Sequence, residues 1–205
     1  MTAFLFALGG YVAGSIPFAV IVSRILALPD PRTYGSKNIG ATNVLRSGSR
    51  IAALLTLVGD AGKGWAAVIV ARLLGAEDEI LAMVGLAAFL GHVFPVWLRF
   101  RGGKGVATAA GVLIAFDWRM GLAVLVAWLA VAAASRYSSL GAIVAAVFAP
   151  VATWYFLGFG PFFAAVVVMG VVLIVRHKAN IVKLLRGEES RIGEKKQTPA
   201  GSVTP

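Results

Sequence analysis

The sequence predicts an all-α integral membrane protein of seven transmembrane helices, and three observations lead there. The chain has 205 residues, of which 59% are hydrophobic and only 14% charged, with a mean hydropathy of +0.86; soluble domains are roughly half apolar. The apolar residues are gathered into successive blocks, most of them near the roughly 20 residues that carry a helix across hydrocarbon. The basic residues fall mostly in alternate connections between these blocks, as positive-inside topology requires.

The first block, about residues 3–28, resembles a signal peptide. It lacks a basic stretch ahead of it and carries Arg24 at its far end, so it reads as a retained span. Further blocks follow at about 51–74, 80–98, 104–118, 119–135, 140–157 and 161–176. The fourth has an unbroken apolar core only from Val106 to Phe116, the length of a re-entrant segment. Loop charge argues that it crosses. One set of connections carries Arg24, Arg32, Lys37, Arg46 and Arg50, then Arg99, Arg101 and Lys104, then Arg136. The tail adds Arg176, Lys178, Lys183, Arg186, Arg191, Lys195 and Lys196. The other set holds Glu77, Asp78 and Glu79, then Asp117 with Arg119, then the uncharged Gly158 to Pro161. Without the fourth crossing the basic tail would land outside, so the expected topology is N-terminus outside and C-terminus cytoplasmic. An odd number of spans without a visible repeat argues against a simple inverted-repeat transporter. Residues 1–189 read as one membrane domain. Residues 190–205, ending in KKQTPAGSVTP, read as a disordered tail, polar and too poor in apolar surface to order.

Composition also excludes chemistry. With no cysteine there is no disulfide framework and no thiolate nucleophile, and with His92 and His177 alone no histidine-rich metal site. The net charge of +10 does not point to nucleic acid, because the basic residues cap apolar blocks and no aromatic-interleaved soluble surface accompanies them. They suit topology and the attraction of anionic headgroups or substrates.

Three connections carry candidate chemistry. Residues 29–50, PDPRTYGSKNIGATNVLRSGSR, combine small residues (Gly35, Gly40, Ala41) with neutral donors (Ser36, Asn38, Thr42, Asn43) and the forked cation Arg46. Backbone amides in such a loop suit phosphate oxygens; the plainer reading is a flexible basic loop. Residues 99–105, RFRGGKG, place Lys104 among Gly102, Gly103 and Gly105 at the start of the small-residue helix VATAAG, where a phosphate would meet a positively polarised N-terminus. The spacing is not that of a P-loop, and glycines flanking a basic stop signal are the plainer reading. Residues 176–189, RHKANIVKLLRGEE, leave the last span as a helix with His177 and Asn180 on one face, closed by Gly187. Within the second block Asp60 and Lys63 stand three apart, as an internal ion pair or a link to the loops would require. His92, three residues before Pro95, reads as a buried hydrogen-bonding group at a kink.

GSKNIGATNVLR, GDAGKG, GHVFPVWLRFRGGKGVAT, RYSSLGA and RHKANIVKLLRGEE occur in this order and at these span boundaries. Together they resemble the bacterial acyl-phosphate:glycerol-3-phosphate acyltransferases of the PlsY type, over nearly the whole chain to about residue 189. The resemblance implies a seven-helix bundle in the bacterial inner membrane with its active site at the cytoplasmic face. It implies transfer of a fatty acyl group from acyl phosphate to the sn-1 hydroxyl of glycerol 3-phosphate, giving lysophosphatidic acid and phosphate, the first acylation of phospholipid synthesis. The donor is neither acyl-CoA nor acyl carrier protein, no cofactor or metal is needed, and coupling to an acyl-phosphate-producing enzyme follows. No acid stands four or five positions after His92 (Val96, Trp97) or His177 (Ile181, Val182), so the HX4D motif of other acyltransferases is missing.

Carried across by motif, Gly35, Ser36, Asn38, Gly40, Thr42, Asn43 and Gly103, with Lys104, would hold the acyl phosphate. Arg46, Lys104, Ser139, His177, Asn180 and Glu188 would surround glycerol 3-phosphate, with Lys104, His177 and Asn180 as the catalytic set. One departure is Lys37, where many members have glycine. Two rival readings predict different outcomes. A permease for an anionic phosphate metabolite would take it up into sealed vesicles without acyl transfer, and a scaffold recruiting lipid-synthesis enzymes would tolerate Lys104→Ala.

Overall fold

The computed structural model of the chain describes residues 1–193, and these are helical apart from their connections. The helices are α1 (Thr2–Gly14), α2 (Phe18–Ile25), α3 (Ala41–Val44), α4 (Arg50–Leu73) and α5 (Asp78–Val93), then α6 (Val106–Phe116), α7 (Trp118–Ser135), α8 (Ser138–Leu157), α9 (Pro161–Arg176) and α10 (Lys178–Leu185). Short 3-10 turns follow α3 and α5.

Five stretches of the described residues are long and apolar enough to cross a membrane: Thr2–Ile25, α4, Asp78–Leu98, α7 and α8. α9 and α10, bent by 56°, supply a sixth if counted as one span. The fourth block becomes α6, an 11-residue helix. At 1.5 Å per residue its rise is about 16 Å, near half the ~30 Å hydrocarbon thickness. The first block is interrupted between Gly14 and Phe18, where Pro17 cannot continue the hydrogen-bond ladder.

Many exposed positions are large and apolar while many buried ones are small, as a lipid solvent permits. Leu54, Val58, Val147, Val151, Val171 and Val175 are exposed, whereas Ala88, Ala142, Ala146 and Ala149 are buried. Lipid tails are as apolar as leucine, so helices associate by close backbone packing over small residues. A Cβ on Gly14 of α1 would lie 1.9 Å from the Ala88 carbonyl oxygen of α5, and one on Gly111 of α6 would lie 1.9 Å from that of Ala61 on α4. Both contacts admit only glycine. Helix starts are capped where they leave a turn: Ser49 Oγ accepts from Ala52 N at 3.2 Å, and Asp117 Oδ1 from Arg119 N at 2.8 Å.

Three connections and the chain after α10 meet at one end of the bundle. Arg176 Nη2 donates to Gly102 O at 3.1 Å, Arg46 Nη2 to Ser190 Oγ at 2.7 Å, and Ile192 N to Arg136 O at 2.7 Å. Residues 190–193 therefore strap across this end, and Arg191 bonds Tyr137 while lying over its ring. Within the tail expected from residue 190, Ser190, Arg191 and Ile192 all have partners on the bundle. Residues 194–205, the rest of the expected tail, lie outside the described residues.

Candidate active site

The loop after α5 doubles back on its own helix: Gly102 N donates to Val93 O and Gly103 N to His92 O, each at 3.2 Å. Gly105 then takes φ +88°, where a Cβ would also fall 2.2 Å from the Phe89 ring, and α6 begins one residue later. Lys104 is thereby fixed between two glycines at the N-terminus of α6. Its Nζ donates a short hydrogen bond to Asn180 Oδ1 on α10. Asn180 Nδ2 in turn donates to Glu189 Oε1 at 2.7 Å, and Ser139 Oγ, on the first turn of α8, donates to the same oxygen at 2.7 Å.

Electrostatics at this end favour an anion. Burial lowers the Lys104 pKa to about 8, against the pull of Glu189, and Arg46, Lys183 and Arg176 push the same way as burial. His177 sits at the break between α9 and α10, 2% exposed. Its Nδ1 lies 2.8 Å from Leu173 O; a carbonyl only accepts, so Nδ1 carries the proton and Nε2 keeps its lone pair. Burial, reinforced by Lys104, lowers the His177 pKa to about 4. At neutral pH this histidine is an uncharged hydrogen-bond acceptor.

The first loop is organised around Asn43. This residue is 2% exposed, its Oδ1 accepts from Ser36 N at 2.9 Å, and its Nδ2 donates to Pro31 O at 2.7 Å. Asn43 therefore shapes the loop rather than offering a free donor. Gly35 has φ +57°, and a Cβ there would lie 2.3 Å from Asn43 Oδ1 and 3.1 Å from Arg46 Cδ, so the loop closes tightly against Arg46. Ser36 and Thr42 are exposed, and Asn38 and Gly40 half-buried. Lys37 takes φ +57°, the left-handed region that glycine adopts without strain.

Of the residues singled out in the sequence, Lys104, Ser139 and Asn180 share one hydrogen-bonded cluster, and His177, Arg46 and Gly103 border it. Glu188 is exposed, and it is Glu189 that joins the cluster. Two adjacent acids after a helix-ending glycine carry no periodicity to tell which faces inward. The contacts of His92, read in the sequence as a buried group, were equally invisible, since they depend on how the loop after α5 folds back and how α4 meets α5.

The family model described as Glycerol-3-phosphate acyltransferase matches residues 4–187. The chain belongs to the glycerol-3-phosphate acyltransferase family. A glycerol-3-phosphate acyltransferase of Ralstonia nicotianae is 59% identical over 197 residues, covering 94% of this chain and 95% of the relative. One of Burkholderia lata is 58% identical over 202 residues, covering 98% and 95%. Among solved structures, PlsY (YgiH), an integral membrane glycerol 3-phosphate acyltransferase, superposes in its glycerol 3-phosphate form with a TM-score of 0.88 at 34% identity, over 94% of this chain and 96% of that one. Its lysophosphatidic acid form gives a TM-score of 0.87 over the same shares. The chain is thus a PlsY-type member of this family, an integral membrane acyltransferase of phospholipid synthesis.

Proposed function

We propose that this chain moves a fatty acyl group from acyl phosphate to the sn-1 hydroxyl of glycerol 3-phosphate, releasing lysophosphatidic acid and inorganic phosphate. The observation that carries this reading is the meeting of Lys104, Asn180 and Ser139 in one hydrogen-bonded cluster, bordered by His177 and Arg46, at the end where both glycine loops lie. The first loop (Gly35, Ser36, Asn38, Gly40, Thr42, with Asn43 holding its shape) and Gly103 embrace the acyl phosphate. Arg46, Lys104, Ser139, His177 and Asn180 receive glycerol 3-phosphate. In this arrangement Glu189, not Glu188, is the acid beside the acceptor.

An acyl phosphate is a mixed anhydride and needs orientation more than activation, worth about 7–11 kcal/mol from positioning alone. The acceptor hydroxyl oxygen attacks the acyl carbon, the new ester C–O bond forms, and the bond to the phosphate oxygen breaks with its electron pair. Lys104, cationic below about pH 8, and the amides opening α6 stabilise charge developing on the carbonyl oxygen and departing phosphate. His177 Nε2 accepts a hydrogen bond from the attacking hydroxyl and so aims it. With a pKa of about 4, however, it is a weaker proton acceptor than a phosphate monoester, whose second pKa is about 6. The proton therefore passes to phosphate and not to the enzyme: the donor's phosphate, more basic as its bond to the acyl carbon breaks, takes it up and leaves as inorganic phosphate with no covalent enzyme intermediate.

The same reading gives seven crossings, with α6 as the short one, the N-terminus outside and the site at the cytoplasmic face of the bacterial inner membrane. The clustering of basic residues at the site end supports it. The donor then comes from an acyl-phosphate-producing enzyme on the cytoplasmic side.

The test is phosphate release from palmitoyl phosphate by the purified full chain in lipid, with and without glycerol 3-phosphate, beside Lys104→Ala. Release that needs the acceptor and disappears in the variant is the expected result. Folded, lipid-supplied protein that releases none would exclude the assignment.

A further inference from the structure

Beneath the Lys104 loop lies a set of buried charges that the proposed chemistry does not use. On α4, Lys63 Nζ and Asp60 Oδ1 pair at 2.7 Å, both side chains 3% exposed. Lys63 Nζ also donates to Ile16 O at 2.7 Å, at the break between α1 and α2. His92, on the last turn of α5, places Nδ1 3.4 Å from that same Asp60 Oδ1, a contact without hydrogen-bond geometry, and Nδ1 has no hydrogen-bond partner among the described residues.

The other edge of the His92 ring faces the loop. A Cβ on Gly103 would fall 2.1 Å from His92 Nε2 and 2.9 Å from Cε1, so the ring lies flush against the Gly103 backbone. The Gly103 amide meanwhile donates to the His92 carbonyl at 3.2 Å. The residue immediately before Lys104 is thus gripped by His92 through both main chain and ring. A buried ion pair within α4 is costly, since apolar residues of similar volume would fill the same space without desolvating two charges. What apolar residues would not supply is a carboxylate beside the imidazole.

The geometry points to His92 as a positioning residue for Lys104, its ring set beside Asp60 and pressed against Gly103. Lys104 then has two anchors: its tip on Asn180 and its backbone, through Gly103, on His92. Displacing a reacting group by about 1 Å costs on the order of 100-fold in rate, which is why a support that touches no substrate matters. This inference rests on the acyl-transfer reading above.

The experiment measures palmitoyl-phosphate-dependent acyl transfer by the full chain in lipid for wild type, Lys104→Ala, His92→Ala, Gly103→Ala and the His92→Ala/Gly103→Ala pair, with thermal unfolding of each. His92→Ala is expected to fold and to lose kcat by about 10-fold or more, while KM for either substrate moves less than about 3-fold. Gly103→Ala drives a methyl into the imidazole. Removing that ring makes room, so the double variant is expected to turn over faster than Gly103→Ala alone, a rescue that general destabilisation does not produce. Should His92→Ala not fold, His92→Asn, which keeps a donor toward Asp60 and gives up the ring against Gly103, takes its place in the same series. A folded His92 variant within about 2-fold of wild type, or losses that simply multiply in the double variant, would overturn the inference. An inactive wild type would instead remove the acyl-transfer reading itself.

Discussion

Ser139 Oγ and Glu189 Oε1 meet at 2.7 Å, tying the first turn of α8 to the chain beyond α10. Asn180 Nδ2 shares that oxygen, so the one acid in the cluster stands where the acceptor substrate is expected. Its negative charge also sustains the proton on Lys104. Glu189→Gln removes that support, and the Lys104 pKa moves further down from about 8. Activity should then fall more at pH 8 than at pH 7, whereas the exposed Glu188 changed to Gln should cost less at both. Initial rates of the two variants at the two pH values decide it; equal losses would place both acids outside the site.

The pH profile of the wild type follows from the same lysine. A buried ammonium with a pKa of about 8 is charged below that pH and neutral above it, so its electrostatic contribution is complete near pH 6.5 and lost as pH rises through about 8. Turnover should fall along an alkaline limb centred there. Lys104→Arg retains its charge throughout, because guanidinium pKa values exceed about 12. Whatever activity it keeps should show no such limb, and a limb that persists in the arginine variant would assign it to another group.

His177 leads to the opposite expectation at acid pH. Its pKa of about 4 keeps it neutral through the physiological range, and the proposed role is to accept a hydrogen bond through Nε2. The side-chain oxygen of glutamine can do the same. His177→Gln should retain turnover to within about 100-fold, no more than the bottom of the 10²–10⁴ range that a general base contributes. A loss beyond about 1,000-fold with unchanged substrate binding would make the histidine the proton acceptor instead.

How much of this was legible in the sequence divides by range. The Asp60–Lys63 pair was legible because its spacing of three is a property of one helix, and α4 brings the two groups to 2.7 Å. Lys104 stood out because glycines and a small-residue helix start flank it. The break before α2 at Pro17 was not anticipated, because it falls inside an apolar block that reads as one span. The inward face of Glu189, the strap of residues 190–193 and the His92–Gly103 contact depend on how separate elements dock, and no local pattern encodes them. Asn43 shows a subtler limit: composition marks a polar donor in a phosphate-friendly loop, while the fold uses both ends of its amide to shape that loop.

Removing one partner of the Asp60–Lys63 pair should be worse than removing both. Asp60→Asn leaves Lys63 buried opposite a neutral amide, and breaking a buried pair on one side costs about 3–5 kcal/mol. The Asp60→Asn/Lys63→Met protein has no orphaned charge and should recover part of the lost thermal stability in detergent. If the double variant is the less stable of the two, the pair does not act as a unit.

Topology can be tested with unusual economy, because the chain contains no cysteine and any introduced thiol is unique. Arg101 lies in the loop at the site end, Glu77 between α4 and α5, and Phe159 between α8 and α9. Trp118, 66% exposed, opens α7 just beyond the 11-residue α6. With seven crossings, single cysteines at Glu77, Trp118 and Phe159 react with a membrane-impermeant maleimide in intact spheroplasts, while one at Arg101 reacts only after lysis. The Trp118 position is decisive for the short helix. Were α6 to turn back without crossing, Trp118→Cys would be protected along with Arg101→Cys. Labelling of Trp118→Cys together with Glu77→Cys would show that about 16 Å of helix is enough to carry the chain across at this point.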